Sequence, residues 1–163
     1  MKNFLITFIF IFAINRSYSQ DKKFKIHTVA FYNFENLFDT INDPNINDED
    51  FIYTPENYKD KLQKLERVIS QLGTSAEQKN SPVILGVAEI ENRQVLEDLC
   101  KQPLLAAKGY SVIHFDSPDK RGIDVALLYR KNFFQPTSYA NIPLYVFQGE
   151  SNSKPETAES TDD

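Results

Sequence analysis

The chain has 163 residues, with 18 Lys and Arg against 23 Asp and Glu, and 41% of its residues are hydrophobic. That length supports one domain with a real core, and the apolar share excludes a disordered or collagen-like polymer. A lone cysteine, Cys100, excludes an internal disulfide framework and a Cys-based zinc cluster, and a net charge of −5 excludes a generally basic nucleic-acid coat.

The amino terminus has the pattern of a secretory signal. Lys2 precedes an apolar run from Phe4 to Ile14, and the small residues Ser17 and Ser19 lead up to Gln20. The spacing predicts a signal peptide over 1–19, cleaved before Gln20, and a secreted or periplasmic protein. The run falls well short of the roughly 20 residues that cross a bilayer, so no stable membrane anchor is expected. Removal of Lys2 and Arg16 would make the mature chain more acidic still.

Phe24 to Phe38 is a β-favouring run in which Ile26, Thr28, Ala30 and Tyr32 alternate with His27, Val29, Phe31 and Asn33. Both faces are largely apolar, which predicts a strand covered on both sides. An acidic loop over 39–53 follows. Its Asp43, Asn45 and Asn47 match the first ligand positions of a calcium-binding hand. The sixth position is Asp48 instead of glycine and the twelfth is Thr54 instead of glutamate, so a solvated loop is expected. Thr54-Pro55 then opens a helix with an N-cap and a first-turn proline. Leu62, Leu65, Ile69 and Leu72 form its apolar stripe, and Gly73 ends it.

A polar link over 74–81 leads to a buried strand over 83–88. Glu89-Ile90-Glu91-Asn92 then runs into a second helix over 93–101, with Val95, Leu96 and Leu99 apolar. Tyr110–Phe115 and Ile123–Tyr129 read as a hairpin around the turn chemistry of 117–122. A weaker strand is expected within Pro143–Phe147. The segment 148–163 reads as a polar acidic loop or tail that offers nothing to pack. Strand, helix, strand, helix and hairpin together predict an α/β domain with a mixed sheet over 20–147.

Three residues stand out for chemistry. Glu89 directly follows a buried strand, at the carboxyl end where open α/β sheets place their ligands. It either holds a hard cation through oxygen or marks where the strand meets water. Asn33 sits amid Phe31, Tyr32 and Phe34, and its amide either caps the strand's backbone or orients a ligand or metal-bound water. Arg121, beside Gly122, is either an ordinary turn residue or a fork for two phosphate oxygens. His27 and His114, both read as strand residues, are expected to be packing residues.

Three segments together resemble the first half of the endonuclease/exonuclease/phosphatase superfamily, which includes deoxyribonuclease I and exonuclease III. V-A-F-Y-N-F-E-N-L-F over 29–38 is similar to its first strand with the asparagine at Asn33. I-L-G-V-A-E-I-E-N over 84–92 is similar to its second strand, with the metal-ligating glutamate at Glu89. G-I-D-V-A-L-L-Y-R-K over 122–131 is similar to its mid-domain strand. The resemblance implies part of a four-layer α/β/β/α sandwich. Val83, Leu85, Val87, Val125 and Leu127 are then expected on the inner face between its two sheets. It also implies metal-dependent hydrolysis of phosphodiester bonds, with Glu89 holding Mg²⁺ (or Mn²⁺), Asn33 orienting phosphate or the metal shell, and Arg121 touching phosphate. The expected partner is nucleic acid or another phosphate ester, and no protein partner is implied. Phosphatase or phospholipase activity is the alternative within the fold, and a non-catalytic secreted binding module is the alternative outside enzymology. The family's later motifs, Gly-Asp-x-Asn and Ser-Asp-His, do not occur by residue 163, so these residues alone are expected to be inactive.

Overall fold

Four strands form one mixed sheet: β1 (Val29–Leu37), β2 (Ile84–Ile90), β3 (Tyr110–His114) and β4 (Asp124–Arg130), in the spatial order β1-β2-β4-β3. β1 and β2 are parallel, so the chain must cross over between them, and helix α1 (Pro55–Gln71) makes that crossing. The other two pairings are antiparallel. Two short helices, α2 (Arg93–Cys100) and α3 (Pro103–Ala106), lie between β2 and β3. The computed structural model describes residues 24–142 together with the short strands β5 (Tyr145–Val146) and β6 (Glu156–Thr157). The signal segment 1–19 and most of 148–163 lie outside the described residues.

Local chemistry sets the helix ends. Thr54 Oγ1 accepts from the Asn57 N–H at 3.2 Å, Pro55 occupies the first turn, and Gly73 leaves the helix at φ +68. A side chain at Gly73 would also strike Thr28, whose Cγ2 would lie 2.4 Å from the added Cβ. Asn92 Oδ1 caps α2 by accepting from Val95 N at 3.1 Å. Helix α3 was not foreseen. Pro103 starts it, Leu105 anchors it in the core, and buried Glu66 on α1 accepts from the Leu104 N–H at 2.8 Å.

One core lies between the helices and one face of the sheet. Leu62, Leu65 and Ile69 of α1 and Val95, Leu96 and Leu99 of α2 pack onto Phe34, Leu37, Leu85, Val87, Ile90 and Leu128. The α/β class is as expected, in the form of one helical layer on one β layer.

Several expectations about strand faces are corrected. β1 is covered on one side only, with Val29 67% and Phe31 69% exposed while Phe34 and Leu37 are buried. It also starts at Val29, so Phe24 and Ile26 are exposed, and His27 precedes the strand and meets Phe133 edge-on at 4.9 Å. Leu85 and Val87 lie in the core on the helix side, not on a sheet-to-sheet face, and Val83 just before β2 is buried as well. Among the described residues the other face stays open, with Val125 exposed and Phe31 lying across Gly86. An apolar run of period two defines two faces without saying which one is covered. Within 148–163, Glu156–Thr157 pairs with Tyr145–Val146. Ladder bonds need no apolar side chain, so composition gave no sign of that pairing.

Candidate functional site

Between Asn33↔Ala88 and Leu37↔Ile90, β1 spends three residues while β2 spends only Glu89. On the other flank Ala88 pairs with Val125 and Ile90 with Asp124, so Glu89 has no register partner there either. It is a bulge residue on both sides, turned out of the pleat. Glu35, Asn36 and Glu89 all adopt left-handed φ, at 55, 58 and 58. For non-glycine residues this costs on the order of 1–2 kcal/mol each, a strain that surrounding structure must hold.

Hydrogen bonds hold it. Asn33 Nδ2 donates to Glu89 Oε1 at 2.7 Å, and Asn33 Oδ1 accepts from the Glu35 N–H at 2.7 Å, which fixes which way the amide faces. The bulge carbonyls are also engaged. Lys61 Nζ donates to Glu35 O at 3.0 Å, Tyr53 Oη to Asn36 O at 3.0 Å, and Glu91 N to Leu37 O at 3.0 Å. Asn33, Tyr32, Glu35, Lys61, Lys64 and Val68 line an open cleft of about 210 Å³. Burial lowers the Lys61 ammonium below its ordinary range, while the charges of Glu35 and Glu89 oppose that shift. Two of the sequence-predicted residues, Asn33 and Glu89, are therefore in direct contact. Glu89 Oε2 accepts no hydrogen bond among the described residues, which suits a hard cation that takes oxygen ligands.

Arg121 stands at the same end of the sheet, on the loop entering β4. Its fork grips Asp119, with Nε at 3.1 Å and Nη2 at 2.8 Å, and this pairing holds the Asp119 carboxyl below the ordinary carboxylate range. The acidic loop leans on the same turn, since Asn47 N donates to Lys120 O at 2.7 Å.

The acidic loop itself is not simply solvated. Asp48 is fully buried, and its Oδ2 accepts from Asp43 N at 3.0 Å. Asp43 Oδ1 is used within the loop by the backbone N–H and amide of Asn45, which is turn chemistry. Beside it lies Glu91, which sequence reasoning passed over. It is buried, accepts from Asp39 N at 2.7 Å, and its carboxyl is pushed up to about 7, chiefly by burial and further by the charges of Asp39 and Asp48. A carboxyl raised in the fold binds its proton more tightly there than in the unfolded chain. Its stabilisation is therefore complete below the ordinary value of 4.5 and is lost as pH rises through about 7. The melting temperature should fall between pH 5 and pH 8, and Glu91→Gln should flatten that part of the slope. An unchanged slope in the variant would contradict this.

His114 is packed, as expected, but it is also paired. Its Nε2 lies 2.7 Å from Asp124 Oδ2, and its Nδ1 lies 3.8 Å from Asp116 Oδ1. The available signal for Asp124 was a carboxylate opening an apolar strand. Lys61 gave none beyond one more charge on a helix.

Residues 28–155 match the endonuclease/exonuclease/phosphatase family. Comparison with curated proteins and with solved structures gives no match. The match spans most of the chain and includes both bulged strands, so the chain belongs to the endonuclease/exonuclease/phosphatase family, whose domains hydrolyse phosphate esters.

Proposed function

We propose that the chain carries the Asn33–Glu89 half of a secreted, metal-dependent phosphodiesterase of nuclease type. The observation that carries this reading is the 2.7 Å hydrogen bond joining Asn33 to Glu89 across two bulged strand ends. A carboxylate and an amide at adjacent parallel carboxyl ends, on strained backbone, have the form of a preorganised site. Mg²⁺ or Mn²⁺ fits the oxygen donors there, with Glu89 as the ligand. When bound, such an ion polarises a phosphoryl oxygen and stabilises the leaving oxyanion. Asn33 keeps the Glu89 carboxylate in one orientation. Lys61 and Lys64 give one wall of the cleft positive charge for an anionic substrate. Arg121 would exchange Asp119 for phosphate oxygens, since both present the same two-oxygen geometry to its fork.

A version that also carries the family's later motifs should cleave bis(p-nitrophenyl) phosphate and single-stranded DNA in the presence of Mg²⁺, with loss on chelation and recovery on re-addition. Metal-independent turnover would contradict the proposal. The net charge of −5 favours a second reading, a phosphatase or phospholipase, because polynucleotides usually draw on a basic groove. A preference for monoester or lipid phosphate would establish it. The basic, apolar and small-residue pattern of 1–19 supports export. The intact mass of the exported protein should correspond to a chain beginning at Gln20, and retention of Met1 would refute cleavage.

A further inference from the structure

We propose that His114 and Asp116 form a site for a divalent transition-metal ion of the zinc class, separate from the Asn33–Glu89 centre, with Asp124 orienting the imidazole. The His114 side chain is 5% exposed and that of Asp124 4% exposed, and Nε2 lies 2.7 Å from Asp124 Oδ2. Asp124 Oδ1 accepts from the Ser117 N–H at 2.7 Å, so the carboxylate is fixed from both ends. In a neutral imidazole the ring nitrogen that faces a carboxylate acceptor is the one that carries the proton, and the lone pair then falls on Nδ1. That nitrogen points toward Asp116 Oδ1 at 3.8 Å, beyond hydrogen-bond reach, and it has no hydrogen-bond partner among the described residues.

A carboxylate behind one imidazole nitrogen and a bare lone pair on the other is the usual arrangement of a metal-binding histidine. The spacing agrees. Tetrahedral zinc with nitrogen and oxygen ligands at about 2.0–2.2 Å separates them by roughly 3.3–3.5 Å. The Asp116 side chain is 95% exposed and can close the remaining gap by rotation. Imidazole selects zinc, copper or nickel over magnesium, whereas the oxygen donors at Glu89 favour the opposite set. A purely structural His114–Asp124 clasp would explain Nε2 and the pinned Ser117, but not the bare Nδ1 facing a second carboxylate.

His114 and Asp124 fall in alternation with Val112 and Leu128, which are buried beneath the helices, while Asn33 alternates with exposed Val29 and Phe31. An ion held by His114 and Asp116, with water completing its shell, would tie the loop over 115–123 to the end of β3. That loop carries Arg121.

The test is a Zn²⁺ titration of the whole chain, read by nitrogen-15 NMR of the imidazoles. The chain has only two histidines, so a His27→Gln variant completes the assignment. We expect His114 as the Nε2–H tautomer before metal is added. Zn²⁺ should then move the His114 Nδ1 resonance saturably while His27 stays in place. Asp116→Ala, at an exposed position, should weaken binding by about tenfold or more, and Glu89→Gln should leave it unchanged. The Nδ1–H tautomer, no saturable shift at millimolar Zn²⁺, or unaltered affinity in Asp116→Ala would overturn the site. Loss of the response in Glu89→Gln would also overturn it, by assigning the ion to the other centre.

Discussion

In a version that also carries the family's later motifs, Glu89→Gln is expected to lower Mg²⁺-dependent phosphodiester hydrolysis by about 10²-fold or more while leaving the unfolding midpoint near that of the wild type. The two effects separate because Glu89 belongs to neither ladder. Its side chain contributes one hydrogen bond, accepted from Asn33 Nδ2, and the amide oxygen of glutamine can accept the same bond. The backbone at φ 58 carries the same strain in both versions. What the substitution removes is the negative charge that the proposed cation would need at this position. Direct binding gives a second readout. Mn²⁺ should broaden the Asn33 side-chain amide resonances in the wild type and leave them sharp in the variant. Full turnover by a folded variant, or equal broadening, would refute the ligand role of Glu89. Glu91 provides the contrast, because Glu91→Gln should alter stability against pH and leave Mn²⁺ broadening intact.

Much of the fold was legible where local chemistry decides it. The α1 boundaries follow from Thr54-Pro55 and Gly73, because each acts on backbone groups within a few residues. Asn33 and Glu89 could each be singled out for residue type and position. Their contact could not, since it joins residues 56 apart in the chain. The bulge was hidden for another reason. Left-handed backbone is usually signalled by glycine, and here Glu35, Asn36 and Glu89 adopt it without one. Lys61, Tyr53 and Glu91 supply the donors that hold it, and they come from three separate segments. Face assignment failed for lack of a tie-breaker. Val29 and Phe31 are as apolar as Leu85 and Val87, and only the placement of the helices decides which pair is covered.

Phe34→Ala is expected to destabilise the fold by about 3–5 kcal/mol, a large share of the roughly 5–15 kcal/mol that holds a typical domain. Phe34 is 1% exposed and sits in the core cluster with Leu62, Leu65 and Ile69 of α1, meeting Tyr32 edge-on at 5.7 Å. Truncation removes a whole ring from a close-packed site and leaves a cavity that flanking β1 and α1 can fill only in part. The position matters beyond its volume. Phe34 directly follows Asn33 and precedes the left-handed pair Glu35 and Asn36, so its ring anchors the start of the bulge to the core. Strain of this kind persists only while surrounding packing over-determines it. Loosening the anchor should let the pair relax toward ordinary strand geometry and draw Asn33 away from Glu89. Urea unfolding should therefore show the lower midpoint, and Mn²⁺ broadening at Asn33 should weaken even at urea concentrations where the variant remains folded. Phe34→Leu, which keeps most of the buried volume, should cost about 1–2 kcal/mol and retain the broadening. A loss below about 1 kcal/mol for the alanine variant would show that the core, and the strain it holds, do not depend on this ring.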